Sequence, residues 1–165
     1  MNFTTFISKK KAEAFSDTKD SEKRILISIT TPGVARSTGY CTPAKLHIDA
    51  WRDILRLEFH DVEPELDGYD YVIFNDEDAK KIFEFLKKHE TEIDEVVVHC
   101  EAGISRSAAV SKFISIIYGL EFPENYMLYN RSIFSTLLRL YGEAFYDKGI
   151  LPKELLPAFN QGAIA

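Results

Sequence analysis

Three consecutive valines, Val96–Val98, run into His-Cys-Glu-Ala-Gly-Ile-Ser-Arg-Ser at positions 99–107, and a largely apolar, helix-forming stretch follows as far as Leu120. A buried strand that turns through a tight loop into a helix N-terminus restricts the chain to a few layered architectures. In these the strand lies inside a sheet, the helix packs on the sheet, and ligands gather at the carboxyl ends of the strands. The loop itself has a chemical consequence. Successive backbone N–H groups turn inward, and the positive end of the helix dipole faces the same spot, which makes a cradle for an anion. Cys100 stands at the mouth of that cradle.

The rest of the chain repeats the alternation of strand and helix. Phe3–Ser8 reads as a short strand and Lys9–Phe15 as a helix. Arg24–Thr30 is a continuous β-type run, stopped by Thr31-Pro32-Gly33. Ile54–Phe59 alternates apolar Leu55, Leu57 and Phe59 with charged Arg56 and Glu58. Asn75 can cap a helix whose first turn is acidic (Asp76, Glu77, Asp78) and whose apolar face is Ala79, Ile82, Phe83 and Leu86. Glu95–His99 is the strand before the loop, and Ser107–Leu120 the buried helix after it. A final amphipathic helix carries Ile133, Leu137, Leu140, Tyr141 and Ala144 on one side. The expected fold is α/β: a mainly parallel central sheet of four to five strands with helices on both sides. The anion loop joins a central strand to its following helix. Residues 1–165 show no repeat, low-complexity tract or linker, so one domain is expected.

Bulk charge narrows the partners. The formal net charge is −6, a poor basis for holding nucleic acid or an anionic membrane by electrostatics. Neither partner is expected, and a monomer is the default. No apolar stretch reaches the roughly 18 residues of a membrane span. The two cysteines, Cys41 and Cys100, make no disulfide framework, and a working thiol suits a reducing cytoplasm. The four histidines are scattered, with no Cys-x-x-Cys or His-Glu-x-x-His. No metal site follows from this pattern, and no glycine-rich nucleotide motif is present, so no cofactor is expected.

Within the loop each residue type has a job. A thiolate, not a thiol, is the nucleophile. Inward N–H groups, the helix dipole and Arg106 all favour negative charge at Cys100, and Ser107 can donate a hydrogen bond to the sulfur. Arg106 can also hold two phosphate oxygens in its planar fork. The backbone of Glu101, Ala102, Gly103, Ile104, Ser105 and Arg106 would ring a phosphoryl group and match its three equatorial oxygens. Gly103 permits a positive φ midway. The side chains of Glu101 and Ile104 are expected to point outward, with Glu101 facing solvent or meeting a base. His99 is expected to orient the loop through its ring nitrogens. A leaving alkoxide or phenolate also needs a proton. Asp61, just past the strand that ends at Phe59, is the candidate general acid, with Asp67 as the alternative. Asn130 can bond the phosphate loop or cap a helix. Tyr69, Tyr71, Phe74, Tyr126 and Tyr129 can wall a pocket or simply pack. Lys9–Lys11 reads as a solvated helix face, and Cys41 as a plain small residue or a partner for oxidised Cys100.

The segment His99–Ser107 resembles the His-Cys-x5-Arg-Ser signature of the cysteine-dependent protein tyrosine phosphatases. It matches at Cys100, Gly103, Arg106 and Ser107. Its Gly-Ile-Ser-Arg-Ser ending is similar to the dual-specificity branch. The order of elements from Ile54 to Arg139, with Asn130-Arg131 before an amphipathic helix, resembles compact phosphatases of microbes and their viruses. The resemblance implies metal-free hydrolysis of a phosphorylated protein or peptide through a phosphocysteine on Cys100. Water then hydrolyses the intermediate, with the aspartate acting as base. Two other readings keep the loop: a rhodanese-like sulfurtransferase or arsenate reductase, and a phospho-residue binding module without turnover. Sulfur transfer has no use for Asp61, and arsenate reduction needs relay cysteines where only Cys41 is available.

Overall fold

The computed structural model describes residues 1–16, 19–33, 41–62 and 70–147. Four strands, β1 (Phe3–Ser8), β2 (Arg24–Thr30), β3 (Asp53–Glu58) and β4 (Glu95–Cys100), form one sheet in the order β1-β4-β2-β3. Every pairing is parallel. The helices are α1 (Lys9–Ala14), α2 (Asp76–His89), α3 (Arg106–Tyr118) and α4 (Arg131–Asp147). The α/β expectation therefore holds, with four strands. β4 is interior, so its carboxyl end, where Cys100 lies, is flanked by β1 on one side and β2 on the other.

Alternation along the interior strands divides the core. Ile25, Ile27 and Ile29 of β2 and Val96, Val98 and Cys100 of β4 face the larger cluster, with Ile82 and Leu86 of α2, Phe113 of α3 and Leu137 of α4. Leu26 and Val97 face the opposite layer, a smaller cluster with Ala50 and Trp51. Three helices thus cover one face. The other is covered by the chain around α1, through Phe15, and by the turn Ile48–Ala50. Buried on both faces, β2 and β4 read as continuous apolar runs instead of alternating ones, as interior parallel strands do.

Local signals set the helix ends. The Asn75 side chain accepts from the N–H groups of Glu77 and Asp78, and the Asp78 carboxylate accepts from the Asn75 N–H, a reciprocal capping box. Lys87, Lys88 and His89 close the same helix at its negative end. Gly119 ends α3 in the left-handed conformation at φ 63°. On α4, Ile133 and Leu137 are buried as expected, whereas Ala144 is exposed at the edge of a cleft between α2, α3 and α4. Among the described residues no helix is long and apolar enough to cross a membrane.

Candidate active site

The loop after β4 is built as its composition demands. Gly103 has φ 69°, the left-handed region, and sits against β1: a Cβ there would stand 2.3 Å from the Ser8 nitrogen. Ile104 is 45% exposed and points outward. Glu101 also turns away from the cradle and meets a base, Lys9, at 3.6 Å. Lys9 is the exception to a solvated lysine run. It is buried, its ammonium donates to the Thr42 carbonyl (2.7 Å) and hydroxyl (3.0 Å), and its N–H donates to the Glu101 carbonyl (3.2 Å).

Cys100 is buried, and its sulfur lies 3.2 Å from the Ser107 hydroxyl. Ser107 sits in the first turn of α3, so that hydroxyl and the helix N-terminus favour negative charge at the same place. Ser105, the N-cap residue, does not cap the helix with its side chain. Its hydroxyl donates instead to the Asp61 carboxylate at 2.8 Å. The first N–H groups of α3 therefore have no cap from that side chain.

Arg106 is almost wholly buried. Its Nη1 donates to the Phe59 carbonyl at 2.7 Å and its Nη2 to the Thr31 hydroxyl at 2.8 Å, while Nε is buried with no protein partner. A buried guanidinium is stable only when its donors are engaged. Two of the five N–H donors are therefore anchored, one on each of the Nη atoms expected to grip phosphate oxygens, and Nε is left without a protein partner. Thr31 was not foreseeable as a support from its residue type. The one hint in the chain is its position, at the carboxyl end of a strand buried on both faces.

His99 places Nε2 2.7 Å from the Ser28 hydroxyl on the neighbouring strand. It ties β4 to β2 one residue before Cys100, a bond to the neighbouring strand and not to the loop itself. Burial, with the Arg56 and Lys9 cations adding to it, pulls the imidazole down from 6.5 to about 4. The ring is neutral in the fold at pH 7. In the unfolded chain it binds a proton below about 6.5, so unfolding takes up a proton between the two values and stability falls as pH drops through that window. We expect a loss of about 3 kcal/mol between pH 7 and pH 4 from this group. Urea midpoints measured across that range should show it in the wild-type chain and lack most of it in His99→Gln.

Asp61 is exposed, but its Oδ1 accepts from two groups: the Ser105 hydroxyl and the Asn130 amide at 2.9 Å. Asn130 fills both roles open to it. Its Oδ1 accepts from the Ile133 N–H at the start of α4, and its own N–H donates to the Ser105 carbonyl at 3.2 Å. One residue thus joins the Asp61 segment and α4 through its side chain and the Cys100 loop through its backbone N–H. Tyr126 closes the other side, its hydroxyl donating to the Ile104 carbonyl at 2.7 Å. Burial, and then the charge of Cys100, push this phenol above its ordinary value. Asp67 and Tyr69 lie outside the described residues. Tyr71 packs edge-on against His60, Tyr129 against Phe134, and Phe74 against Phe59, so packing accounts for these three. Both cysteines are free thiols, with Cys41 half-buried.

No family model matches the chain, and a search of curated proteins finds none similar to it.

Proposed function

We propose that this chain is a metal-independent phosphomonoester hydrolase of the protein tyrosine or dual-specificity phosphatase type. The observation that carries the reading is the bond from Ser105 to Asp61 at 2.8 Å. A carboxylate from a distant strand end is tied to the loop that holds the nucleophile, an arrangement that sulfur transfer and simple phosphate binding do not require.

The chemistry follows from the placement of groups. The loop N–H groups, the head of α3 and the Nε of Arg106 hold the phosphoryl oxygens as charge builds on them. The Cys100 thiolate attacks phosphorus, and the ester P–O bond breaks as an S–P bond forms. Protonated Asp61 gives its proton to the departing oxygen. Water then attacks the phosphocysteine, Asp61 takes the water's proton, and the S–P bond breaks to release inorganic phosphate and the thiolate. Every step uses a group of this chain, a substrate or water.

The direct test is hydrolysis of 4-nitrophenyl phosphate in excess EDTA. Vanadate-sensitive turnover is expected, and its absence would leave sulfur transfer or binding. Asp61→Asn should lower kcat on phenyl phosphate, a poor leaving group, by roughly 100-fold, and on a strongly activated aryl phosphate by only a few fold. Equal small losses on both would remove Asp61 from the role and point to Asp67. Arg106→Lys should lower kcat/KM by about 100-fold or more, because an ammonium cannot span Phe59, Thr31 and a phosphate oxygen together. Steady-state rates at saturating and limiting substrate would check both.

A further inference from the structure

Seven large hydrophobic side chains are exposed among the described residues, and five of them belong to the Cys100 loop or to segments hydrogen-bonded to it or to the residue before Asp61: Val72, Ile73, Ile104, Met127 and Leu128. Ile104 belongs to the loop. Met127 and Leu128 lie between two residues bonded to that loop, Tyr126 through the Ile104 carbonyl and Asn130 through the Ser105 carbonyl. Val72 and Ile73 lie beside the Asp61 segment. Val72 exchanges two bonds with His60, which directly precedes Asp61: its carbonyl accepts from the His60 N–H at 2.8 Å, and its N–H donates to Nδ1 at 3.0 Å. Exposed apolar residues scattered singly need no explanation, but a cluster around a site marks contact with what the site takes.

Charge sharpens the choice of occupant. None of the three segments that carry these residues, 60–73, 101–105 and 121–130, contains a lysine or arginine. The exposed charges among their described residues are Asp61, Asp70, Glu121 and Glu124. A substrate with phosphates beyond the one transferred, or with carboxylates beside it, would bring like charge against these four carboxylates, which outnumber the neighbouring cations, Arg131 next to Asn130 and Lys112 over the Tyr129 ring.

We propose that the substrate is a phosphorylated protein segment whose residues flanking the phospho-residue are apolar and carry no extra negative charge. These flanks lie on Met127–Leu128 and on Val72–Ile73. The assignment rests on the phosphatase reading above and names the substrate class for that same site. These side chains lie on segments joined to the loop through Tyr126, Asn130 and Asp61, so the flanks of a polypeptide with its phosphate in the loop would meet them. A phosphoinositide or a 5′-phosphorylated nucleic acid would meet more carboxylates than cations on these segments and their edges: Asp61, Asp70, Glu121 and Glu124 against Arg131 and Lys112.

The experiment compares kcat/KM for three phosphotyrosyl peptides that differ only in leucine, serine or glutamate at the two flanking positions. 4-Nitrophenyl phosphate serves as a substrate without flanks. The expected order is leucine over serine by about tenfold, as partial burial of one such side chain allows, with glutamate last. The double variant Met127→Ser, Leu128→Ser should erase the preference for leucine and leave 4-nitrophenyl phosphate turnover within about twofold of wild type. Turnover of 4-nitrophenyl phosphate without any preference among the peptides, or with glutamate preferred, would overturn the proposal and spare the phosphatase reading. So would a dimer in sedimentation that the double variant dissociates, since the patch would then serve a second copy. Failure on 4-nitrophenyl phosphate itself would overturn both.

Discussion

Cys100→Ser is expected to abolish hydrolysis of 4-nitrophenyl phosphate, with a loss on the order of 10⁴-fold or more, as when a covalent nucleophile is removed elsewhere. A serine hydroxyl is almost the same size as the thiol. It keeps a partner in Ser107, whose oxygen lies 3.2 Å from the sulfur in the parent chain. What it cannot do is exist as an anion at neutral pH, because nothing in the loop offsets so weak an acid. The cradle itself should survive, since Arg106 is anchored by Phe59 and Thr31 and not by the cysteine. The variant should therefore still bind a phosphotyrosyl peptide, and calorimetric titration would measure it. A variant that binds no peptide would mean that the sulfur shapes the loop, and residual turnover near the parent rate would remove Cys100 as the nucleophile.

Gly103→Ala should have the largest effect on stability. The new methyl carbon would lie 2.3 Å from the Ser8 nitrogen, 2.4 Å from the Ile7 carbonyl carbon and 2.7 Å from the Ile7 oxygen, all backbone atoms that cannot swing aside. A left-handed residue with a side chain costs about 1 kcal/mol before any contact is considered. The collision must then push the loop away from β1 or β1 out of register. Together these should cost about 3 kcal/mol or more and lower Tm by roughly 10 °C. Gly119→Ala is the matched control. It has the same sign of φ at 63° but nothing within 4 Å of the added carbon, so it should cost only about 1 kcal/mol. The gap between the two melting points isolates the contact with β1. If the variants melt together, the loop is less tightly held than its geometry indicates.

Much of the fold was legible because its signals are local. The buried run Arg24–Thr30, the Asn75 cap and the glycine that ends α3 each follow from a few adjacent residues. Strand boundaries shifted by about one residue, as at Asp53–Glu58, because the polar Asp53 pairs in the ladder while Phe59 only begins the turn. Strand order was not legible. Nothing in Phe3–Ser8 says that it pairs with β4 and not with β2, which follows it sooner. The same limit divides the site. Cys100, Gly103, Arg106 and Ser107 were readable because the nine-residue loop makes its own geometry. Thr31, the Phe59 carbonyl and the joining role of Asn130 were not, because each meets the loop only after the sheet brings distant segments together. Lys9 was misread for a related reason. Three lysines in a row look solvated, and the Thr42 oxygens and Glu101 that hold the first of them come from distant parts of the chain.

The pairing of β1 has a consequence for how the chain acquires its chemistry. Phe3 finds its partner in Glu95, and Ser8 finds its partner in Cys100. A newly made β1 therefore has nothing to zip against until β4 has also left the ribosome, and long-range parallel closure of this kind is slow. The wall that fixes Gly103 arrives with that closure. Under the proposed function, competence should thus switch on with that closure, and a chain lacking β1 would carry the whole nine-residue signature and yet be inert.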